Sequence, residues 1–306
     1  MEGVREAPVK GLESQDRGAG LLILVKSIAW TAVAALVGAA TGRYWLAPGR
    51  PRAVWPVVAA ALAVPVLGAV ELWLTLVQVL PGADLATWRR YATTTAHGDV
   101  VLWRSVAAVA LAVASLALPR RWWPVVAGLG VWLCLGFSRL SHSAAMGGTG
   151  PLLVDLAHLL GAVLWAGAVW RLAVARERPD ADEVGRLSRL ATWVVVGLAV
   201  TGVLNALVHA SEPDRFFASR YAVALAVKVA LVALTLALAA ANRFVLLPRA
   251  RRGQGGIAAA LWVESALLLA VLVATGWLTT SPVPHGAVGD VDVLENARRV
   301  LEHLGR

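Results

Sequence analysis

The chain has 306 residues, of which 58% are hydrophobic and 15% are charged, and its formal net charge is +9. Soluble globular domains are about 45–50% apolar and about 25% charged, so the composition excludes an ordinary water-soluble enzyme and predicts that lipid covers part of the surface. The basic residues fall in short breaks between apolar runs, which is typical of contacts with anionic lipid headgroups rather than with nucleic acid. The single cysteine, Cys134, excludes an intramolecular disulfide framework and a cysteine-based zinc cluster.

Eight apolar runs are long enough to cross a bilayer, which takes about 20 helical residues. Backbone groups in lipid must form their hydrogen bonds within their own segment, so each run is predicted to be a helix. The predicted fold class is therefore all-α, a polytopic membrane bundle of about eight transmembrane helices. The runs are 21–41, 54–80, 99–118, 121–138, 152–174, 190–209, 221–242 and 257–279.

The runs divide the chain into two membrane halves between polar tails. A polar N-terminal tail is predicted at 1–20, a four-helix half at 21–138, a second four-helix half at 139–280 and a polar C-terminal tail at 281–306. Arginines are concentrated in the loops after the first, third, fifth and seventh runs. The positive-inside rule makes those loops cytoplasmic and predicts that both termini face outward.

Alternation of the spans predicts that all six histidines lie on the side opposite the arginine-rich loops. Only His158, about two turns inside the fifth run, is predicted to lie at membrane depth. Three others are interpreted as solvated polar residues: His209, His285 and His303.

The most concentrated group of candidate ligands lies around the start of the fifth run. His142 and Met146 are four residues apart in the preceding loop, and Asp155 and His158 are three apart on one helix face. Imidazole suits copper, zinc and nickel, whereas a thioether selects soft Cu(I). Placing two ionisable side chains at membrane depth costs free energy, so such a pair indicates a functional role. These four residues are predicted to bind a metal, with His97 as a further candidate ligand.

Four more ionisable residues fall inside the apolar runs. They could pair with one another for structural reasons or take part in ion passage, and the sequence leaves both alternatives open. These four residues are Glu71, Arg104, Lys228 and Glu264. The chain lacks the G-x-x-x-x-G-K-[ST] phosphate-binding loop. We therefore expect a protein that is not an enzyme and does not use ATP.

The C-terminal half resembles the copper resistance protein D (CopD) family. The family's Asp and His, three residues apart and followed by a Trp-x-Gly-Gly segment, are similar to Asp155, His158 and Trp165 to Ala168 here, where Ala168 replaces the second glycine. Further similar segments are Ser141 to Ala145, Val200 to Asn205, Ala241 to Arg243, the position of Glu264, and Leu278 to Pro284.

The resemblance implies a multi-pass protein of the bacterial inner membrane that takes up copper ions. It also implies a small periplasmic copper-binding protein as partner. No nucleic-acid partner is expected, because the basic residues lie in short breaks between apolar runs. Two alternatives remain open from the residues: a b-type haem protein of the membrane, and a copper-binding scaffold that assembles a cuproenzyme without moving the ion.

Overall fold

The computed structural model describes residues 7–48, 54–80, 82–141, 148–175, 179–209, 216–252 and 256–281, without the side chains of 7–17 and 208–209. In these ranges the backbone is helical and contains no strand. The helices are α1 (Ala7–Thr41), α2 (Val54–Val79), α3 (Leu85–Thr94), α4 (Ala96–Ala117), α5 (Trp123–Ser138), α6 (Thr149–Ala173), α7 (Ala181–His209), α8 (Arg220–Ala241) and α9 (Ile257–Thr280).

Two helices continue past their α-helical ends. A π-helical turn, Gly42–Leu46, follows α1, and a second one, Asn242–Leu246, joins α8 to the short helix Leu247–Arg251. At its other end α1 begins at Ala7, so helical backbone extends into the segment predicted as a polar tail at 1–20.

Within the described ranges, seven helices are long and apolar enough to cross a membrane. The prediction of a polytopic helical membrane protein is therefore confirmed. The run predicted at 121–138 also forms a helix, but α5 has only 16 residues. At 1.5 Å per residue it spans about 24 Å, less than the roughly 30 Å of the hydrocarbon core. The 3₁₀ turn Arg120–Trp122 precedes it.

Helix α1 lies at the centre of the bundle and packs on α2, α4, α5, α6 and α9. Helix α6 packs on α7 and α9, while α8 packs mainly on α9. The core between α1 and α6 is fully buried at Val33, Leu36, Val163 and Val169. Helices α7 and α8 therefore flank the side of α6 and α9 that faces away from the N-terminal half.

Two glycines meet where α1 crosses α6. A Cβ on Gly38 of α1 would overlap the backbone of Gly167 on α6, and a Cβ on Gly167 would overlap the backbone of α1 at Ala34. Small residues at such a crossing let membrane helices approach closely, since dispersion contacts drive their association. The crossing fixes α6, and with it the polar residues of that helix, against α1.

We expect Gly167→Ala to destabilise the protein by at least about 1–3 kcal/mol, because the added methyl group meets backbone that cannot rotate away. Thermal unfolding followed by circular dichroism would measure the change. Gly197→Ala on α7 is the matched control, since a Cβ there has no neighbour within 4 Å. Equal melting temperatures for the two variants would contradict this description of the α1–α6 crossing.

Arginine side chains join several helix ends at one end of the bundle. Arg43, after α1, donates from Nη2 to the Leu118 carbonyl oxygen at 2.6 Å and from Nη1 to that of Ser115. Gly42 lies against the side chain of Arg171 near the end of α6. The ends of α1, α4 and α6 therefore meet.

Two further arginines bring α7 and α8 to the same place. Arg186, near the start of α7, donates from Nε to the Leu46 carbonyl oxygen at 2.7 Å. Arg243, after α8, donates from Nη1 to the Ser188 Oγ at 3.2 Å. We call this the arginine-rich end.

The opposite end of the bundle carries the described histidines. Helices α4 and α6 both end at the arginine-rich end, so both begin at the opposite one. His97 is the second residue of α4, and His158 lies in the first half of α6. Helix α7 starts at the arginine-rich end and therefore ends, at His209, near the opposite end. We call this the histidine end.

Candidate metal-binding site

Helix α6 brings Asp155 and His158 to one face. Both residues are half-buried and three positions apart, which places them on adjacent turns of the same side. His158 follows Thr149, the first residue of α6, by nine residues, about 13 Å along the helix axis. The predicted pair is thus inside the membrane-spanning segment, nearer the histidine end than the arginine-rich end.

A hydrogen bond from α7 orients the His158 ring. Nδ1 of His158 lies 3.0 Å from Oγ1 of Thr201. The Thr201 hydroxyl donates its proton to the Gly197 carbonyl oxygen at 2.7 Å. A hydroxyl has one proton, so Thr201 accepts a hydrogen bond from Nδ1–H of His158. The lone pair of the neutral ring is then on Nε2, which is the form of imidazole that binds a metal ion.

Glycines let α7 approach α6 closely enough for this bond. A Cβ on Gly202 would lie 3.3 Å from Cε1 of His158, and one on Gly161 would lie 3.1 Å from the Leu198 side chain. The imidazole therefore occupies the space that a side chain at position 202 would need. A larger residue at position 202 would force the ring to shift, so Gly202 favours this packing through its small size and not through its backbone conformation.

Helix α8 contributes a cation to the same cluster. Lys228 interacts electrostatically with Asp155 and with His158, and Tyr221, two turns earlier on α8, interacts with Asp155. A carboxylate and an ammonium group have no net charge together, so the cluster avoids an isolated charge in lipid. The cluster is therefore formed by three helices, α6, α7 and α8.

Two of the predicted ligands, His142 and Met146, lie outside the described residues. So do His285, His303 and the side chain of His209, the three histidines interpreted as solvated polar residues. Within the described part of the chain, no three His, Cys, Asp or Glu side chains form a group that could hold a metal ion. The structure thus places two of the predicted ligands, Asp155 and His158, side by side, and the other two precede α6 by a few residues.

His97 belongs to a different cluster, formed by the N-terminal half. Its Nδ1 lies 3.0 Å from the hydroxyl oxygen of Tyr91 on α3, and the two rings are nearly perpendicular, with centroids 5.9 Å apart. Burial raises the pKa of the Tyr91 phenol, so the phenol is neutral at physiological pH. His97 is thus bound to α3, whereas His158 is bound to α7.

A buried ion pair lies below His97. The guanidinium of Arg104 on α4 donates to the carboxylate of Glu71 on α2, and both residues are buried. The Arg104 guanidinium carbon also lies 4.5 Å from the centre of the Phe137 ring, a favourable cation–π distance. Lys26 of α1 interacts electrostatically with both members of the pair. These contacts tie α1, α2, α4 and α5 together.

Sequence reasoning missed three residues of these clusters. Thr201 and Tyr221 are uncharged residues of types that are common in helices, and nothing in their spacing indicates that they face α6. Lys26 has a clearer signal, because it is a cation inside the apolar run predicted at 21–41.

The fold and the two clusters define a multi-pass helical membrane protein with ionisable side chains held between its helices. A family model described as copper resistance protein D matches residues 181–278, and one described as the copper resistance protein D-like N-terminal domain matches residues 17–152. Together the matches cover most of the chain, which therefore belongs to the copper resistance protein D family. No curated protein and no solved structure shows significant similarity to it.

Proposed function

We propose that the protein is a copper permease that takes up copper from the extracytoplasmic side, and that Asp155 and His158 form its capture site. The observation that carries the proposal is the bond from His158 to Thr201, which directs the lone pair of the ring to Nε2. Membership of a copper resistance family supports copper as the metal.

An ion that leaves water must exchange its hydration shell for protein ligands. Nε2 of His158 supplies a neutral nitrogen, and Asp155 supplies a negative charge that offsets the charge of the ion. His142 and Met146 immediately precede α6 in the sequence and would add a second imidazole and a thioether, which favours Cu(I).

Lys228 gives this site a counter-cation before copper arrives. Its ammonium group interacts with Asp155, so the carboxylate has a counter-charge while no metal is bound. An incoming copper ion would take over this role and displace the ammonium group from Asp155. Because the displaced Lys228 side chain remains attached to α8, the cluster stays neutral during capture of Cu(I) only when Lys228 releases its proton to water as the ion binds.

A small periplasmic copper-binding protein is the partner that we propose for delivery. The histidine end would face the periplasm in the inner membrane of a bacterium, with the arginine-rich end in the cytoplasm, in accordance with the positive-inside rule. In this arrangement the protein moves an ion and catalyses no covalent reaction.

Cells that overproduce the protein test the proposal. We expect more cell-associated copper and greater copper sensitivity than in cells with an empty vector, whereas cell-associated zinc should not change. Equal copper content in the two strains, with the protein present in the membrane by immunoblot, would argue against uptake. A Soret absorption band in the purified protein would favour the haem alternative instead.

Thr201→Val tests the role of the hydrogen bond to His158. The substitution keeps the shape of the side chain and removes the acceptor, so we expect copper affinity or uptake to fall about 10–100-fold, as is typical when the partner of a ligating histidine is removed. Copper competition with a chromophoric chelator would measure the change. Thr275→Val on α9 is the control, because that hydroxyl donates only to the Val271 carbonyl of its own helix. Unchanged affinity in Thr201→Val would show that Thr201 does not position a ligand.

A further inference from the structure

A second polar group lies inside the C-terminal half, away from the copper site. Glu264 of α9 is only 4% exposed, and Asn242, which begins the π turn after α8, is 6% exposed. Nδ2 of Asn242 donates to Oε2 of Glu264 at 2.8 Å. Trp165 of α6 is buried against the same carboxyl group. Three helical segments therefore surround one buried carboxyl group.

Two further polar atoms lie around this carboxyl group. In the described part of the chain, Oδ1 of Asn242, which can only accept, is buried without a hydrogen-bond partner. Nε1–H of Trp165, which can only donate, interacts with the Glu264 carboxyl group. Leaving the Asn242 oxygen unpaired in a membrane interior costs free energy, and a proton on Glu264 would pair it. A protonated carboxyl has an O–H that can donate to an amide oxygen, and an ionised carboxylate can accept from an indole N–H.

No basic side chain neutralises this carboxyl group within the described ranges. Ionisable groups on the segments packed against α9 include Lys26 of α1, Arg171 of α6, Lys228 of α8 and Arg243 of the π turn, and none forms a hydrogen bond or ion pair with Glu264. An isolated ionised carboxylate in an apolar interior is very costly. A proton or another cation must therefore neutralise it, and the two carboxylate oxygens with Oδ1 of Asn242 are too few to enclose a metal ion such as Ca²⁺, which takes about 6–8 oxygen ligands.

We propose that Glu264, with Asn242 and Trp165, is a proton-binding site in the membrane interior that is separate from the copper site. The carboxylate takes up one proton at an oxygen atom and releases it again, and no other bond forms or breaks. Trp165 follows His158 on α6 by seven residues, two turns, so the proton site lies about 10 Å nearer the arginine-rich end along the same helix. If the protein is a copper permease as proposed above, this proton is the ion to which copper movement is coupled.

Infrared difference spectroscopy of the purified protein tests the proton site without copper. We expect a C=O stretch of a protonated, buried carboxyl group that disappears as the pH rises. The band should be absent in Glu264→Gln, whose amide can replace the acid by donating to Asn242 and accepting from it, so the fold is kept. Ser265→Ala is the control, because the Ser265 hydroxyl donates only to the Leu261 carbonyl of its own helix, and it should retain the band. Identical spectra for the wild type and Glu264→Gln, or a band that never titrates, would overturn the proton site.

Copper uptake by proteoliposomes under a pH gradient tests the coupling. With one proton moved per copper ion, a gradient of one pH unit should change copper accumulation about tenfold, in opposite senses for the two directions of the gradient. Glu264→Gln should bind copper with wild-type affinity and show no response to the gradient. A wild type that transports copper but ignores the gradient would overturn the coupling and leave the permease intact. A wild type that transports no copper would refute the permease and the coupling together, while the infrared result would still decide the proton site.

Discussion

Replacing His158 by alanine is expected to abolish copper accumulation while the protein remains folded. The change removes the nitrogen ligand from the capture site and leaves Asp155 and Lys228, which interact electrostatically, without a neutral donor for copper. Since His158 is half-buried beside Gly202, its loss opens a polar space and removes no part of the apolar core. Cell-associated copper, measured at equal membrane levels of the two proteins, reports the effect.

Two related variants define what the His158→Ala result means. Asp155→Asn keeps an oxygen ligand but loses the charge, so we expect an intermediate loss of about 10–100-fold. His303→Ala changes a histidine of the C-terminal segment predicted to be a solvated tail and should have little effect. If His158→Ala accumulated as much copper as the wild type, the residue would not belong to the pathway, and the copper assignment would rest on family membership alone.

The second large effect is expected at the buried ion pair of the N-terminal half. Glu71→Ala leaves the Arg104 guanidinium without its carboxylate at a site where Arg104 is only 2% exposed. Removing one partner of a buried pair typically destabilises a protein by about 3–5 kcal/mol. We expect a loss of that order, measured by unfolding in a denaturing detergent and followed by tryptophan fluorescence.

A double variant separates structure from function at this pair. Glu71→Leu combined with Arg104→Met replaces both charges by apolar groups, and such replacements of buried pairs are often neutral or stabilising. We expect it to be much more stable than Glu71→Ala. Wild-type copper uptake in the stable double variant would assign the pair a structural role, whereas lost uptake at preserved stability would assign it a role in ion passage. A Glu71→Ala protein as stable as the wild type would contradict the burial of this pair.

The membrane helices could be predicted from the sequence because lipid imposes a simple rule. Every predicted run contains a helix, since a segment in hydrocarbon must pair its own backbone groups. The rule says little about helix ends that extend beyond the apolar run. Thus α7 begins at Ala181, nine residues before the predicted run at 190–209.

Capping residues give the missing signal for that helix end. Asp180 accepts from the Glu183 backbone N–H at 2.7 Å, and the Glu183 side chain accepts from the Asp180 N–H at 3.1 Å. This reciprocal arrangement is a capping box, with acidic residues three apart before the apolar run. Hydropathy does not detect it, because both residues are charged.

The short helix α3 was missed for a similar reason. It is amphipathic and follows Asp84, whose side chain accepts from the Thr87 backbone N–H at 2.8 Å and caps the helix. Hydrogen bonds from the Thr87 side chain and backbone hold the pKa of the Asp84 carboxyl below its usual range. The helix is too short and too polar to be found by a search for apolar runs. It nevertheless carries Tyr91, which is the hydrogen-bond partner of His97.

Half of the described capture site could be read from the sequence. Asp155 and His158 share a helix face because of their spacing alone, whereas the approach of Thr201 and Lys228 depends on how α7 and α8 pack against α6 and α9. Sequence spacing carries no information on such contacts between helices. The sequence also could not show that His97 lies in a separate cluster from His158. That separation depends on how α1 to α4 pack in the N-terminal half.

Radiocopper uptake into proteoliposomes that contain only the purified protein tests the central claim most directly. The permease account predicts saturable copper accumulation above that of protein-free liposomes, with loss of this accumulation in His158→Ala at equal protein content. Accumulation no faster than in protein-free liposomes, with the reconstituted protein folded by circular dichroism, would contradict it.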